Sequence, residues 1–353
     1  MTPRVARLLA AVIVAGAAAP TLHPAEKAKV DKVKHSGYLE FRKPAFLIVD
    51  AQRVQITSKT KFKGTGRAKS LENIPMGYEL KVRGVRVTDG TIVADEIQAE
   101  PNRTGSAERE LLSGSEQAEQ AWVQAKKVYE PGPDGKEIVM GALHDSGPQV
   151  DRARRIVDRV LPAHVDRQRV SVYVVDNKEW NAMAMANFSI YVFSGLMADL
   201  DDDELAIVLG HEIAHATHEH SLKQAKSSQF TGIAGAIVAT GAELIDNPLA
   251  KTAVQGAGAL GMTTFGNTYS REHEDQADRV GLRYVYEAGY DYTKAPKLWN
   301  RFAQKYGDQD KVTNFFFGDH STSAKRAKDL EIEIANNYKD LAKDPPAMRA
   351  ADK

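Results

Sequence analysis

Residues near the start of the chain alternate between hydrophobic and polar side chains, which predicts β-strands. Segments such as "AFLIVDAQRVQI" and "YELKVRGVRV" are rich in β-branched and aromatic residues, and glycines separate them. Short strands at this spacing are typical of a small closed or half-closed barrel. We therefore predict a small all-β barrel over residues 30–102, which would act as an accessory domain for binding or spacing.

The pattern becomes helical further along the chain. "EPNRTGSAERE" interrupts the strands with Pro101 and Gly105, so we assign residues 103–115 to a linker. Residues 116–342 combine apolar positions at helical spacing with two strand-like segments, "RVSVYVVD" and "NFSIYVFSGLM". The chain is therefore predicted to be multidomain, with an α+β, mostly helical second domain that contains a short sheet and a flexible tail over residues 343–353.

The first 25 residues have the composition of a secretory signal peptide. Arg4 and Arg7 precede an apolar run from Leu8 to Ala19, and small residues follow it. A spanning helix needs about 20 apolar residues, so this run is too short to cross a bilayer comfortably. We expect a removable signal over residues 1–25 and export, most simply to a bacterial periplasm.

Composition narrows the chemistry that is available. The 353 residues contain 47 Lys and Arg against 47 Asp and Glu, which disfavours binding to nucleic acid. The absence of cysteine excludes disulfides and thiolate nucleophiles, and leaves His, Asp and Glu as metal ligands. The apolar segment 231–245 is too short to span a membrane and contains Glu243, so no transmembrane segment is expected in the mature chain.

The stretch "DDDELAIVLGHEIAHATHEH", residues 201–220, predicts a helix with a metal site. Acidic residues at its start complement the helix dipole and can cap free N–H groups. His211 and His215 are four residues apart, so they lie one turn apart on the same face and can bind one ion. Glu212 lies beside them, where its carboxylate can reach a water on that ion.

Two places in the chain can supply a third ligand. His218 lies on roughly the same face, but a ligand on one continuous helix does not readily close a tetrahedral site. We expect His218 and His220 to lie in the outer shell behind the ligands or to be exposed. The alternative is "YSREHEDQADRVG", where Glu274 and Asp278 are four residues apart and share a helical face. Glu274 could then bind the metal while Asp278 accepts a hydrogen bond from a ligand histidine.

These motifs resemble those of the HtpX-like, CAAX-protease-like family of zinc endopeptidases, and more closely its soluble periplasmic members. The resemblance covers roughly residues 106–340 and depends on the order and spacing of the His-Glu-x-x-His motif, the run from Ser270 to Gly281, and His320 six residues before Arg326. It implies a zincin-type fold. The strand-rich region, on "TKFKG" and "GTIVADEI", resembles small OB-like β-barrel modules of exported bacterial proteins.

The family resemblance implies a role for each residue. One Zn²⁺ per chain would be held by His211, His215 and Glu274. Glu212 would be the general base that activates water, and Asp278 would orient a ligand histidine. His320 or Arg326 would stabilise the oxyanion, or His320 would occupy the open zinc position as a latch.

The resulting functional hypothesis is a zinc-dependent endopeptidase that hydrolyses peptide bonds of unfolded or misassembled exported proteins. We expect the strand in "NFSIYVF" to lie at the sheet edge, where an extended polypeptide substrate can pair with it. One alternative is a zinc-containing chaperone-like or latched binding protein with little proteolysis. Another is a structural zinc site with a fourth protein ligand, such as His218 or His320.

Overall fold

The structure is a computed structural model, and it describes residues 31–101, 106–131, 137–227, 269–306 and 324–338. Outside the described residues lie the predicted signal peptide, the segment 231–245, His320 and the tail 343–353. None of the helices within the described ranges is long and apolar enough to cross a membrane.

The first part of the described chain is a six-stranded sheet. Its strands are β1 Asp31–Lys43, β2 Phe46–Val49, β3 Gln52–Gln55, β4 Lys61–Gly64, β5 Glu79–Arg86 and β6 Ile92–Glu100. They are arranged in the order β3-β2-β1-β5-β6-β4, and β3 also pairs with β6 through Val54 with Ile92 and Gln55 with Val93. The predicted β-rich region is confirmed; that it is a barrel stays a proposal.

The alternation in the sequence gives this sheet one buried face. In β5, Leu80 and Val82 are buried whereas Lys81 and Arg83 are exposed. Side chains of successive strand residues point to opposite faces, so a period of two separates the core from solvent. The buried residues of this sheet belong to the same hydrophobic core as those of the helices that follow, so the two regions pack directly against each other.

The second part is mostly helical with a short sheet, as predicted. Its strands are β7 Lys127–Pro131, β8 Glu137–His144, β9 Ser171–Asp176, β10 Ala182–Ala184 and β11 Ser189–Phe193. Its helices are α1 Ser106–Ala125, α2 Pro148–Val160, α3 Ser194–Asp199, α4 Asp202–Thr217, α5 His220–Ser227, α6 Arg271–Glu287, α7 Ala295–Tyr306 and α8 Ala324–Glu333, which continues into a short π-helical turn over Ile334–Tyr338.

Helix α1 begins at Ser106, inside the segment 103–115 that the sequence assigns to a linker. Ala118 and Trp122 lie one turn apart and are buried against the second sheet, where the Trp122 and Tyr191 rings are 5.2 Å apart. This packing stabilises the helix, because tertiary contacts of an apolar face contribute more to a helix than propensity does. The domain boundaries themselves stay a prediction.

The strand β11 is not at the sheet edge, so that prediction is wrong. The second sheet has the order β10-β11-β9-β8-β7, in which β11 pairs with β10 on one side and with β9 on the other. All five β11 side chains are buried, as is typical of a strand covered on both faces. The terminal strand is β10, which pairs antiparallel with β11 and lies against α4.

Helix α4 begins as the sequence predicts. Asp201 is the N-cap: its side chain accepts a hydrogen bond from the Glu204 backbone N–H at 2.9 Å, and the Glu204 carboxylate accepts one from the Asp201 N–H at 3.3 Å. This reciprocal pair satisfies two backbone donors that the helix itself cannot.

Helices α4 and α6 cross at two glycines, Gly210 and Gly281. A Cβ at Gly281 would lie 2.7 Å from the His211 backbone nitrogen, and a Cβ at Gly210 would lie 2.9 Å from the Gly281 carbonyl oxygen. The obstructing atoms are backbone atoms, which can move away only if the two helices separate. Glycine at both positions therefore sets the short distance between the two helices.

We predict that Gly281→Ala destabilises the protein, although alanine favours a helix over glycine by about 1 kcal/mol. Overpacking at the crossing is expected to cost about 1–3 kcal/mol, more than that gain. Urea unfolding would measure the change, with Lys297→Ala, an exposed position on α7, as a control expected to stay within about 0.5 kcal/mol. A more stable Gly281→Ala protein with unchanged metal binding would contradict this reading of the crossing.

Candidate metal centre

The crossing of α4 and α6 brings three ligand-type side chains together. The Nε2 atoms of His211 and His215 are 3.0 Å apart. Glu274 Oε2 lies 3.5 Å from His211 Nε2, and its Oε1 lies 3.5 Å from His215 Nε2. Each residue offers one ligand atom, and these three atoms all lie within 4.8 Å of one another. They are the three residues that the motifs predict as ligands.

The donor set and its surroundings fit a divalent transition metal such as zinc. Two imidazole nitrogens and one carboxylate oxygen are the ligands of several catalytic zinc sites, which leave a fourth position open. His211, His215 and Glu274 are each at most 2% exposed, so three polar groups are buried side by side. Buried polar groups of this kind need partners or a metal ion, because their desolvation is otherwise unfavourable.

A second layer of hydrogen bonds holds His211 in place. Asp278, one turn after Glu274 on α6, has its Oδ1 3.0 Å from His211 Nδ1. Arg326, from α8, donates to both oxygens of Asp278, from Nε at 2.8 Å and from Nη2 at 2.6 Å. Its Nη1 lies 3.2 Å from Glu274 Oε2. This arrangement directs the His211 Nε2 lone pair toward the ligand cluster, as the predicted role of Asp278 requires.

The charges of this layer explain the directions of its pKa shifts. Burial alone would raise the pKa of Asp278, but the Arg326 guanidinium and the hydrogen bond to His211 lower it below its usual value. Without a metal ion, burial and Arg326 both lower the pKa of His211, yet hydrogen bonds to Asp278 and Glu274 outweigh them and raise it to about 9. A metal ion would displace the proton on Nε2, because a ligand histidine binds in its neutral form. Asp278 is therefore held as a carboxylate, the form that accepts a hydrogen bond from His211 Nδ1–H.

The surroundings of Arg326 differ from those that a group stabilising an oxyanion would require. It is 3% exposed, its guanidinium contacts the carboxylates of Asp278 and Glu274, and it stacks on the Trp299 ring with its central carbon 4.0 Å from the ring centroid. These contacts favour a positioning role, and the oxyanion role stays untested. The other candidate for that role, His320, lies outside the described residues.

Glu212 follows His211 on α4 and is 2% exposed. As the next residue on the helix, it projects about 100° around the axis from His211, so it does not share the face of the two histidines. Burial keeps such a side chain away from bulk water, which suits a group that exchanges a proton with one water molecule. The general-base role stays a proposal.

His218 and His220 are both fully buried, so of the two placements expected for them, exposure is wrong. Helix α4 ends at Thr217, and Glu219 adopts a left-handed backbone conformation with φ of 53° before α5 begins at His220. The chain therefore turns without a glycine. His220 Nδ1 comes to 2.8 Å from His215 Nδ1, on the side of the His215 ring away from the ligand cluster.

His218 points away from the cluster, toward the first sheet. Its Nε2 lies 3.2 Å from the Leu39 carbonyl oxygen, and its Nδ1 lies 3.1 Å from the Thr217 hydroxyl. Burial, with Lys223 nearby, lowers the pKa of His218 to about 3. This histidine is therefore neutral in the folded protein, and it lies outside the ligand cluster.

A cavity of about 230 Å³ opens beside His215. Its apolar lining comes from α1, the β10–β11 turn and α5, through residues that include Leu111, Phe188 and Leu222. Phe188 has a backbone φ of 65°, a conformation that costs a residue with a side chain about 1–3 kcal/mol. Strain of this size persists where the surrounding structure holds it, and here Phe188 lines the same cavity as His215.

The geometry defines the class of the domain. A helix carrying His-Glu-x-x-His, crossed by a second helix that adds a buried glutamate, is the arrangement of a metallopeptidase site. Residues 147–334, more than half of the chain, match Peptidase family M48. The chain therefore belongs to peptidase family M48, and this region is a metalloendopeptidase domain of that family.

Individual relatives support the same assignment. Mitochondrial metalloendopeptidase OMA1 of Bos taurus is 30% identical over 174 residues, which is 48% of this chain and 33% of the relative. Beta-barrel assembly-enhancing protease of Yersinia pestis is 25% identical over 226 residues, 62% of this chain and 42% of the relative. Metalloprotease YcaL of Escherichia coli K12 is 28% identical over 181 residues, 51% of this chain and 68% of the relative.

The chain thus spans from 33% to 68% of the length of these relatives. The family match confirms the metallopeptidase class that the motifs predict. None of these three relatives is named HtpX, so a place in the HtpX-like branch stays a proposal. The matched region begins at residue 147, after both the first sheet and α1.

We predict that Arg326→Lys weakens metal binding by about 10- to 100-fold, as loss of a partner of a metal-binding histidine commonly does. A lysine cannot form the two-point contact with Asp278. Competition with a chelator would measure the affinity, with Lys325→Ala, a neighbouring position whose side chain is 60% exposed, as the control. Unchanged metal affinity with a reduced kcat would instead favour the oxyanion role of Arg326.

We also predict that His218 makes the metal-free protein sensitive to acid. Its pKa is about 3 when folded and about 6.5 when unfolded. Between about pH 6.5 and pH 3 only the unfolded state takes up this proton. The contribution of His218 to stability is therefore fully present above about pH 6.5 and decreases as the pH falls toward 3.

Urea unfolding of wild type and His218→Asn, both in chelator, tests this effect. Between pH 7 and pH 5 the wild type should lose about 2 kcal/mol more than the variant, from the difference between the two pKa values. The comparison cancels the contribution of the other histidines. Equal losses in the two proteins would show that His218 is not held neutral.

Proposed function

We propose that this protein is a zinc-dependent endopeptidase that cleaves unfolded or extended segments of exported proteins. The observation that carries the proposal is the buried cluster of His211, His215 and Glu274, together with the buried Glu212 that follows His211 in the sequence. These residues include both a metal-binding set and a carboxylate for proton transfer. A site that only stored zinc would have no use for Glu212.

Zn²⁺ bound by this cluster would supply Lewis-acid chemistry, polarising the scissile carbonyl and making water more acidic. Glu212 takes the proton of the attacking water and then delivers it to the leaving nitrogen. Asp278, held by Arg326, keeps His211 in the tautomer that has its proton on Nδ1 and its lone pair on Nε2. His320 stays a proposed stabiliser of the oxyanion or a latch.

Two features near the cluster suit an extended polypeptide substrate. The terminal strand β10 lies against α4, and an extended backbone can add to such a strand by main-chain hydrogen bonds. The cavity beside His215 could accept an apolar side chain of that substrate. Main-chain pairing with one apolar anchor gives modest sequence preference, which suits unfolded or misassembled proteins.

We further propose that the protein acts after export to a bacterial periplasm. The signal-like residues 1–25 support this location, and one bacterial relative is named a beta-barrel assembly-enhancing protease. The first sheet is proposed to be a small OB-like barrel, a proposal that the β3–β6 pairing supports. A place among soluble members of the HtpX-like branch remains part of the same proposal.

Two alternatives use the same cluster differently. A chaperone-like or latched binding protein would keep the metal but cleave little. A structural zinc site would need a fourth protein ligand, and among the described residues neither His218 nor His220 belongs to the cluster. Their ring nitrogens contact Leu39, Thr217, Gln276 and the Nδ1 of His215 instead.

We predict that Glu212→Gln retains the metal and loses cleavage of a denatured protein by at least about 100-fold, the usual contribution of a general base. Glu274→Ala should lose the metal as well as the activity, because it removes a ligand. Metal content and cleavage of denatured casein would be measured for both. Glu272→Gln, at an exposed position on α6, is the matched control and should retain both properties.

The outcomes separate the alternatives. Zinc-loaded wild type that cleaves no unfolded substrate would favour the chaperone-like or latched protein. Full activity of Glu212→Gln would exclude Glu212 as the general base, and full metal content of Glu274→Ala would exclude it as a ligand.

A further inference from the structure

A chain of buried hydrogen bonds connects the metal cluster to the first sheet. It begins at His215, whose Nδ1 lies 2.8 Å from His220 Nδ1, and continues from His220 Nε2 to Gln276 Oε1, also at 2.8 Å. Gln276 Nε2 then donates to Glu40 Oε1 at 2.7 Å and to Asp50 Oδ1 at 2.6 Å. His220, Gln276 and Glu40 are each at most 4% exposed.

The chemistry of the groups fixes the direction of every bond in this chain. Carboxylates only accept hydrogen bonds, so Glu40 and Asp50 require the amide nitrogen of Gln276 to face them. The Gln276 amide oxygen therefore faces His220, whose Nε2 must carry the proton. His220 Nδ1 then accepts, and the donor to it is His215 Nδ1–H.

These bond directions determine which ring nitrogen of His215 carries the proton. A neutral imidazole with its proton on Nδ1 presents a lone pair on Nε2. His215 Nε2 is the atom that faces His211 and Glu274 in the ligand cluster. The carboxylates of the first sheet thus select the tautomer of His215 that can bind a metal, as Asp278 does for His211 on the opposite side of the site.

We propose that Glu40 and Asp50 of the first sheet are positioning residues for the metal site, acting through Gln276 and His220 on His215. This inference rests on the proposed function only in taking His215 as a metal ligand. It assigns to the first sheet, which lies outside the M48 match, a part in building the peptidase site. That part is in addition to any binding or spacing role.

The carboxylates themselves are held in a fixed orientation. The Ala51 backbone N–H donates to Glu40 Oε1 at 2.7 Å, and Arg279 of α6 donates to both Glu40 oxygens at 3.1 Å. Asp50 Oδ1 also accepts from the Tyr38 backbone N–H at 3.1 Å. Both carboxylates are therefore oriented before they meet Gln276, and a fixed partner is what a positioning role requires.

The turn that carries Asp50 has a strained backbone, and this turn presents the Asp50 carboxylate to Gln276. Asp50 and Ala51 form the two-residue connection between β2 and β3, with φ of 42° and 61°. Glycine or asparagine is preferred at such positions, and alanine is not. Gly37 on β1 leaves the space for Asp50, because a Cβ there would lie 2.6 Å from Asp50 Oδ2 and 2.9 Å from its Cβ.

Other contacts dock the same face of the sheet on the end of α4. Tyr38 donates its hydroxyl hydrogen to Glu219 Oε2 at 2.7 Å. Gly77, with φ of 82°, approaches the Thr217 carbonyl so closely that a Cβ would lie 2.9 Å from that oxygen. These contacts hold the two regions together, and no side chain of the hydrogen-bond chain takes part in them. They therefore provide a control for stability alone.

The experiment measures zinc affinity of the full chain by competition with a chelator, and thermal unfolding of the same proteins without metal. Gln276→Met interrupts the hydrogen-bond chain in its middle and should weaken zinc binding by about tenfold or more. Asp50→Gly removes one carboxylate, while glycine retains the left-handed turn, and should weaken binding by a smaller factor. Co²⁺ substitution should show altered d–d absorption in Gln276→Met, because His215 is oriented differently.

Two controls match these variants. Ala51→Gly puts glycine in the same turn, retains the backbone N–H that reaches Glu40, and should leave zinc affinity unchanged. Tyr38→Phe removes the hydrogen bond to Glu219, which lies at the same interface but is not part of the hydrogen-bond chain. It should lower the unfolding temperature of the metal-free protein without changing zinc affinity.

Combining Asp50→Gly with Gln276→Met decides the mechanism. If Asp50 acts through Gln276, the double variant binds zinc as weakly as Gln276→Met alone. If the double variant is weaker by the product of the two single effects, or if Gln276→Met binds zinc like wild type, the proposal is overturned. Wild type that binds no zinc would instead overturn the proposed function on which the inference rests.

Discussion

The close crossing of α4 and α6 determines the geometry of the metal cluster. Gly210 and Gly281 let the two helix backbones touch, and this contact places Glu274 against His211 and His215 although the sequence separates them widely. Any side chain at the crossing would widen the gap between the ligand atoms. The requirement for glycine comes from the distance between backbones and not from a turn.

Burying charged groups at this crossing is unfavourable unless each of them has a partner. Asp278 and Glu274 share Arg326, so the guanidinium offsets two carboxylates and also orients the acceptor for His211. On the other side, His215 reaches polar groups of the first sheet through neutral His220 and Gln276. The two metal-binding histidines are therefore held by different parts of the chain, one by a charged network and the other by a chain of directed hydrogen bonds.

The spacing of residues predicted the local parts of this arrangement. The pairs His211 with His215 and Glu274 with Asp278 are each four residues apart, and helix geometry alone places each pair on one face. The sequence could not show that Glu219 turns the chain in a left-handed conformation, since a glycine is the usual signal for that. The sequence therefore leaves open whether His220 lies behind a ligand histidine or is exposed, and the structure shows it buried against His215. The interior position of β11 and the partners of Arg326 depend on contacts between distant segments, which no local pattern encodes.

The central claim is that the cluster on α4 and α6 holds a metal ion that peptide-bond cleavage requires. The most direct test removes the metal from the full-length protein with a chelator and follows cleavage of a denatured protein before removal, after removal and after zinc is restored. We expect about one zinc ion per chain, loss of cleavage when the metal is removed, and return of cleavage when zinc is added. Cleavage that persists in metal-free protein, or a zinc-loaded wild type that does not cleave, would contradict it.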